Sequence, residues 1–270
     1  MRCQYLFSLL FTSSMFASHS LSYDIGYTSA RASFSFAKAS SEIQEQMKTI
    51  GGMAMRLSYL YEKQQSLYSE SSLLGALAVA NNASCFFTVQ TPQTLKATYS
   101  YIPKGYTYGA EQKLGYIVRF GPLCGTPFLG LFLEKTVWNR HHLEATEGTV
   151  PRNFPKRALS LRNVMPILGM HFAYEPWKPP RFVLKASYTY KLGQSRLKTS
   201  HQFDKQIFEE KEEGFSHIQE VAGWALLEVT RGFYLGGKMS YESQSLGRKR
   251  KFEGLKKEVV YAQCEGRYFF

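Results

Sequence analysis

The chain has 270 residues, a formal net charge of +12 and a hydrophobic content of 44%. This content excludes an intrinsically disordered chain. The mean hydropathy of -0.27 is too low for a bundle of membrane helices, because each such helix needs about 20 consecutive apolar residues. A membrane β-barrel needs only half of its strand residues to be apolar, since side chains alternate between lipid and lumen. A secreted soluble β protein has a similar composition and stays an alternative.

The N-terminal residues predict export. Arg2 precedes an apolar stretch from Tyr5 to Ala17, and small residues follow it. This order is typical of a secretory signal peptide, and the run of serines after the apolar stretch argues against the alternative of a buried N-terminal helix. We therefore expect residues 1–20 to be the signal peptide and residues 21–270 to form a single barrel domain.

Removal of the signal peptide leaves Cys85, Cys124 and Cys264, so at least one cysteine has no partner within the chain. An odd cysteine in an exported protein indicates a free thiol or an intermolecular disulfide. Cys85 and Cys264 fit small apolar positions in strands. Cys124 lies in the glycine- and proline-rich segment 121–127, which predicts an exposed turn. We expect its thiol to be the most reactive and able to form a disulfide with an envelope partner.

Alternating apolar residues predict strands along most of the chain. Tyr23, Ile25 and Tyr27 alternate in one parity, and the parity changes near Ala30, which indicates a bulge or a turn. Segment 41–50 is predicted to be a short helix or part of a loop. The clearest further strands are 53–61, 95–101, 114–120, 168–174, 182–190, 233–241 and 260–270, and weaker ones are 128–135 and 221–229.

The predicted connections alternate between short and long. Short turns lie at 121–127, 175–180 and 230–232, and long polar loops lie at 138–161, 192–215 and 243–257. This rhythm predicts an all-β fold, a membrane-spanning antiparallel up-and-down β-barrel whose long loops face outward. Counting from Met53 gives about ten strands, and adding 22–36 and 83–90 gives about twelve; bacterial barrels have an even number, and we prefer twelve.

The final segment has two different faces. Val260, Ala262, Cys264, Gly266, Tyr268 and Phe270 share one face, and Lys257, Gln263, Glu265 and Arg267 share the other. A terminal phenylalanine preceded by alternating hydrophobic residues resembles the last strand of bacterial outer-membrane β-barrel proteins, without indicating a subfamily. The resemblance implies an outer-membrane location, and it implies that Tyr268 and Phe270 form the signal read by the outer-membrane assembly machinery.

Charged residues on the polar faces of the predicted strands are expected to line the lumen. They are Arg56, Lys96, Lys113, Arg119, Glu134, Lys185, Glu220, Glu228, Lys238, Glu242, Glu265 and Arg267. Such charges need partners or water. Two alternatives follow: a closed lumen filled by salt bridges, and an aqueous channel whose basic surplus favours anions.

The densest basic run is predicted to lie on an outward loop. It consists of Arg248, Lys249, Arg250, Lys251, Lys256 and Lys257. On the surface of a barrel the nearest polyanions are lipopolysaccharide phosphates, so we expect outer-membrane lipid and lipopolysaccharide, and no nucleic acid, as partners. A solvated loop without a dedicated ligand is the alternative.

No catalytic or cofactor motif stands out. The mature chain has only Asp24 and Asp204, which are not part of an Asp-Asp or Asp-His pair, so the resemblance to omptin proteases fails. None of the histidines forms the His-x-Ser pair of lipid A deacylases, and His141 and His142 beside Glu144 are an incidental metal-ligand set on a loop.

The sequence therefore favours a barrel that is not an enzyme and has no catalytic residue, cofactor or metal. It predicts either a small porin-like channel or a structural and adhesive surface protein. The alternatives are an outer-membrane lipid hydrolase and a secreted soluble β protein.

Overall fold

The computed structural model describes residues 17–38, 41–63, 67–80, 83–90, 94–147, 157–175, 181–203, 206–247 and 252–270. Its regular structure is all β. The strands are β1 (Ala17–Lys38), β2 (Ser41–Lys63), β3 (Leu67–Ala80), β4 (Ala83–Gln90), β5 (Thr94–Tyr116), β6 (Val118–Phe120), β7 (Leu123–Glu147), β8 (Arg157–Tyr174), β9 (Phe182–Phe203), β10 (Gln206–Thr230), β11 (Phe233–Leu246) and β12 (Phe252–Phe269). Within the described ranges, no helix is long and apolar enough to cross a membrane.

The twelve strands form one antiparallel sheet that closes on itself, because β1 pairs with both β2 and β12 and β5 pairs with β7. The prediction of an all-β antiparallel barrel with twelve strands is confirmed. The twelve strands occupy ten positions around the ring, because β3 and β4 both lie between β2 and β5, and β5 and β6 both pair with β7 in one register. Of the two counts considered from the sequence, twelve is the number of strands and ten is the number of positions around the ring.

Short turns at one end of the ring define its turn side. Gly121 and Gly232 have φ values of 61° and 78° there, a left-handed conformation that glycine adopts without steric cost. The Gly232 carbonyl accepts a hydrogen bond of 2.8 Å from the Phe269 amide, and the Phe270 amide donates to the His19 carbonyl at 3.0 Å. The first bond ties the last strand to the turn between β10 and β11, and the second ties it to the first strand. β1 begins at Ala17, so residues 17–20 of the predicted signal peptide lie within it.

Near the turn side, the outer wall of the ring is apolar. Large apolar side chains on every long strand point outward, away from the lumen. Leu129, for example, is 65% exposed. On β7 this outward series runs from Leu123 to Leu133, comparable to the roughly 9–11 residues with which a tilted strand crosses a bilayer. A soluble protein rarely leaves so large an apolar surface uncovered, whereas a lipid-facing wall requires it.

Toward the opposite end, the loop side, the two faces of the wall exchange their character. Outward positions such as Arg31, Gln46 and Arg196 are polar and exposed. The inward positions form an apolar core consisting of Ala30, Ala32, Phe34, Met47, Ala78, Tyr99, Tyr101, Trp138, Leu159, Leu161, Leu197, Leu246, Leu255 and Val259. The loop-side half is thus built like a soluble β-barrel around its own hydrophobic core.

This exchange corrects the interpretation of the N-terminal parity change. Tyr23 and Tyr27 point outward, whereas Ala30, Ala32 and Phe34 point inward, and odd and even residues of β1 keep their sides throughout. The register of β1 against β2 does shift between Ala30 and Ala32, but β1 itself does not turn over. The apolar residues change parity because the apolar environment moves from outside the ring to inside it.

The same exchange explains two wrong predictions. Segment 41–50, predicted as a helix or loop, belongs to β2. The long loops predicted at 138–161, 192–215 and 243–257 are mostly strand. In the second of them, for example, β9 continues to Phe203 and β10 starts at Gln206. Polar outward residues made these strands look like loops, and only some of their inward residues, such as Trp138, Leu197 and Leu246, are apolar.

Candidate functional site

A central layer of charged side chains fills the ring. Lys257 Nζ on β12 lies 3.2 Å from Glu134 Oε1 on β7 and 3.7 Å from Glu242 Oε1 on β11. β12 and β7 stand on opposite sides of the ring, so this ion pair crosses the lumen. Lys191 Nζ lies 2.9 Å from Glu220 Oε2 and 4.0 Å from the centre of the Phe132 ring.

Amide side chains complete this central layer. Asn163 Nδ2 donates to Glu134 Oε1 at 3.1 Å, and Gln244 Nε2 donates to Asn163 Oδ1 at 3.0 Å. Ser195 Oγ donates to the same Asn163 oxygen at 2.6 Å. The side chains of Asn163 and Gln244 are fully buried. These bonds satisfy polar groups that would otherwise be costly to bury.

A second layer lies closer to the turn side. Lys113 Nζ lies 3.4 Å from Glu70 Oε2 and 3.5 Å from Glu111 Oε2, and Arg56 lies 3.7 Å from Glu111. On the other side of the lumen, Lys238 Nζ lies 3.4 Å from an Asp24 oxygen. Both layers place carboxylates next to cations, so the basic surplus of the chain is not concentrated in the lumen.

The apolar core of the loop-side half also contains one buried ion pair. Arg140 Nη2 lies 2.9 Å from Glu45 Oε2, and Arg140 Nη1 donates to the Ser200 carbonyl at 2.7 Å. The hydroxyl of Tyr101 donates to the other oxygen of Glu45. This pair joins β2 to β7 across the ring.

The ring contains little free space between these layers. Cavities of 40 and 50 Å³ lie beside the central and the turn-side layers, each with room for one or a few water molecules. Several carboxylate oxygens there, including Asp24 Oδ1 and Glu265 Oε2, have no protein partner, which fits bound water.

The structure places most of the predicted lumen charges inside the ring. Arg56, Lys113, Glu134, Glu220, Lys238, Glu242, Glu265 and Arg267 lie in the two layers or pair with each other there. Arg119 pairs with Glu175 at 3.3 Å near the turn side, and Glu228 pairs with Arg181 at 3.7 Å. Lys185 is half-buried, and the side chain of Lys96 lies outside the described set.

Other members of the layers were missed in the sequence. Asp24, Glu70, Glu111 and Lys191 are buried or half-buried partners. Extending the alternation of β9 beyond Tyr190 would have found Lys191, which shares its face with Lys185. Glu70 and Glu111 lie in segments without a clean apolar alternation and carried no such signal.

Two further predictions are corrected. Lys256 and Lys257 belong to β12 and not to a loop, and Lys257 is buried in the central layer; residues 248–251 lie outside the described ranges. Cys124 is not in an exposed turn, because the turn comprises only Gly121 and Pro122, and Cys124 is a half-buried strand residue paired with Arg119.

The outer wall carries a basic row just above the apolar belt. Lys135 of β7 stands directly opposite Arg162 of β8, which stands directly opposite Arg196 of β9. Lys198 and Lys211 are opposite each other one position further toward the loop side. Arg196 pairs with Glu213 and Lys198 with Glu209, whereas Arg162 and Lys211 make no ion pair with any described residue. An outer-wall cavity of 620 Å³ is lined by these five basic residues.

The described residues contain no group of three His, Cys, Asp or Glu side chains that could hold a metal ion. His171 lies in the turn-side layer, where Tyr68 Oη contacts its Nε2 at 2.9 Å. His217 lies on the outer wall, 2.9 Å from Ser245 Oγ. This second contact joins residues that are 28 positions apart in the sequence, so it does not form a His-x-Ser motif.

Comparison with known proteins identifies the fold. No protein-family model and no curated protein matches the chain. The outer-membrane protease OmpT of Escherichia coli is similar with a TM-score of 0.67 at 11% identity, covering 94% of this chain and 97% of OmpT. The chain has the fold of a bacterial outer-membrane β-barrel. Neisserial surface protein A matches with a TM-score of 0.33 at 11% identity over 93% of this chain and 97% of that protein.

Proposed function

We propose that this protein is a closed outer-membrane barrel that acts as a structural and adhesive surface protein and does not conduct solutes. The cross-lumen contact of Lys257 with Glu134 carries the proposal. Charges on opposite walls that are 3.2 Å apart leave no room for a hydrated ion between them. The apolar core on the loop side is a second barrier of a different kind.

The orientation follows from the turns. In outer-membrane barrels short turns face the periplasm and long segments face outward, so the polar loop-side half stands above the membrane. This placement exposes the loop-side outer wall to the cell surface, and it leaves Tyr268 and Phe270 at the periplasmic end as the proposed assembly signal. The outward ring of Tyr268 is stacked on that of Phe270 there.

The closed state is tested by vesicle permeability. We expect vesicles that contain the folded protein to retain small sugars and ions as well as protein-free vesicles do. Folding is verified by the shift in gel mobility that barrels show when they are boiled. Rapid sugar uptake by vesicles that contain only the folded, heat-modifiable form would reject the proposal in favour of a channel.

The basic row supports a second proposed role, binding of a phosphorylated headgroup of the outer leaflet. Like charges directly opposite each other destabilise a sheet, and Lys135, Arg162 and Arg196 are such neighbours. An anionic headgroup would remove this repulsion. Below the row, Leu133 and Val164 are exposed apolar residues, so the row lies at the height where the phosphates of a bilayer begin.

Reversing the charge of Arg162, the middle residue of the basic row, tests this role. We expect Arg162→Glu to weaken binding of lipopolysaccharide at least about tenfold, since each phosphate contact to a basic side chain contributes about 1.5–3 kcal/mol. Arg31→Glu, on the outer wall of β1, is the matched control and should bind as the wild type does. Binding is measured by co-migration of refolded protein with lipopolysaccharide in native gels. Equal binding by both variants would contradict the role.

A further inference from the structure

On the outer wall, a serine and a histidine of neighbouring strands lie in hydrogen-bond contact. Ser245 of β11 and His217 of β10 stand directly opposite each other in the register. Ser245 Oγ lies 2.9 Å from His217 Nε2 and 3.3 Å from Nδ1. The ring of Tyr190 is stacked against the His217 ring, with centroids 6.2 Å apart and planes at 25°. We propose that Ser245 and His217 are the nucleophile and the base of an acyl-ester hydrolase that acts on outer-leaflet lipids.

The geometry provides the first requirement of nucleophilic catalysis. A serine hydroxyl is a weak nucleophile unless a neighbouring base takes its proton at about 2.6–3.2 Å. The Nε2 contact lies within that range. The two strands fix both backbones, and the Tyr190 ring lies beside the imidazole. Both side chains are half-buried and remain open to a ligand outside the barrel.

The surroundings match the chemistry of a membrane lipid. Leu192, directly opposite His217, and Phe215, the next outward residue on β10, are 48% and 73% exposed. On the other side of the pair, Lys256 stands directly opposite Ser245. An apolar flank for an acyl chain and a cation for an oxyanion or a headgroup phosphate thus lie on either side of the hydroxyl. Toward the turn side on the same strands, Val221 and Tyr241 begin the apolar belt.

The reaction needs only water as co-reactant. His217 takes the proton of Ser245 as Oγ adds to the ester carbonyl carbon. The bond between that carbon and the alcohol oxygen then breaks, and the imidazolium gives its proton to the leaving alcohol. Water attacks the acyl-serine and passes a proton to His217, which returns it to the departing Oγ. The products are a free fatty acid and a lipid that has lost one acyl chain.

The inference does not depend on the closed lumen, because the pair lies on the outer wall. The test uses the full refolded protein in two kinds of vesicle, one of phosphatidylglycerol and one containing lipid A, and measures released fatty acid by mass spectrometry. Release from either kind supports the proposal and identifies the lipid class. We expect Ser245→Ala and His217→Ala each to reduce release at least about 100-fold, as the loss of a catalytic serine or histidine does elsewhere.

Ser243→Ala is the matched control. Ser243 is the next outward residue on β11, with the same half-buried exposure, and it stands opposite Gln219 and not a histidine. It should leave the rate unchanged. A serine-directed phosphonate gives a second readout that needs no substrate, and it should modify Ser245 in the wild type and fail to modify the His217→Ala variant. No release from either vesicle together with no modification of Ser245, or release undiminished in Ser245→Ala, would overturn the proposal.

Discussion

Replacing Lys257 with methionine lowers the free energy of unfolding by about 3–5 kcal/mol, the usual cost of removing one partner from a buried ion pair. The side chain of Lys257 is 6% exposed, and those of Glu134 and Glu242 are 3% and 6% exposed. Without the lysine, Glu134 keeps the Asn163 amide and the Thr136 hydroxyl as partners but loses its cation, and Glu242 keeps Lys191 at 3.8 Å. The measurement is the urea dependence of folding into lipid vesicles, followed by heat-modifiable gel mobility.

Lys256 is the matched control for this substitution. It is the preceding residue on β12, but it points outward, is 66% exposed and pairs with Glu258 at 2.9 Å. Exposed ion pairs contribute little to stability, so Lys256→Met should leave the urea midpoint unchanged. If the two variants had the same midpoint as the wild type, Lys257 would not be part of a sealed central layer.

Replacing Leu129 with arginine is expected to cost about 2–4 kcal/mol, because it places a charge on the lipid face near the middle of the bilayer. Leu129 lies on β7 between Leu123 and Leu133, the limits of the outward apolar series. The same urea titration in vesicles measures the loss. The expected cost falls toward the limits of the belt, where an arginine side chain reaches the headgroups.

Gln46→Arg provides the comparison for the loop-side half. Gln46 is an exposed outward residue of β2, opposite Ser33 in the register, and its surroundings are expected to be aqueous. An exposed substitution there should change stability by less than about 0.5 kcal/mol. A similar cost at both positions would mean that the outer wall does not pass from lipid to water along its height.

The sequence was sufficient to predict the turn-side half of the barrel. In the last strand, Tyr268 and Val260 are exposed and Glu265 and Arg267 are buried, as the alternation indicates. Period-two alternation identifies a strand and divides its residues between two faces. It does not say which face is the interior, and Tyr99 and Tyr101 alternate in the same manner although both point into the loop-side core.

Side-chain contacts between strands could not be predicted from the sequence. The Ser245 and His217 pair lies 28 residues apart and depends on the register of one hairpin. The contact of Lys257 with Glu134 spans 123 residues and depends on closure of the whole sheet. Neither register nor closure leaves a local mark in the chain, so the predicted lumen charges could be named without their partners.

Planar-bilayer recording of the refolded protein tests the closed lumen most directly. After insertion, verified by heat-modifiable mobility of the protein recovered from the membrane, the layers around Lys257 and Arg140 predict a flat current with no unitary steps. A conducting porin inserted in the same bilayer serves as the positive control. Reproducible unitary steps from the folded wild-type protein would contradict a sealed barrel and would restore the small channel as the function of this chain.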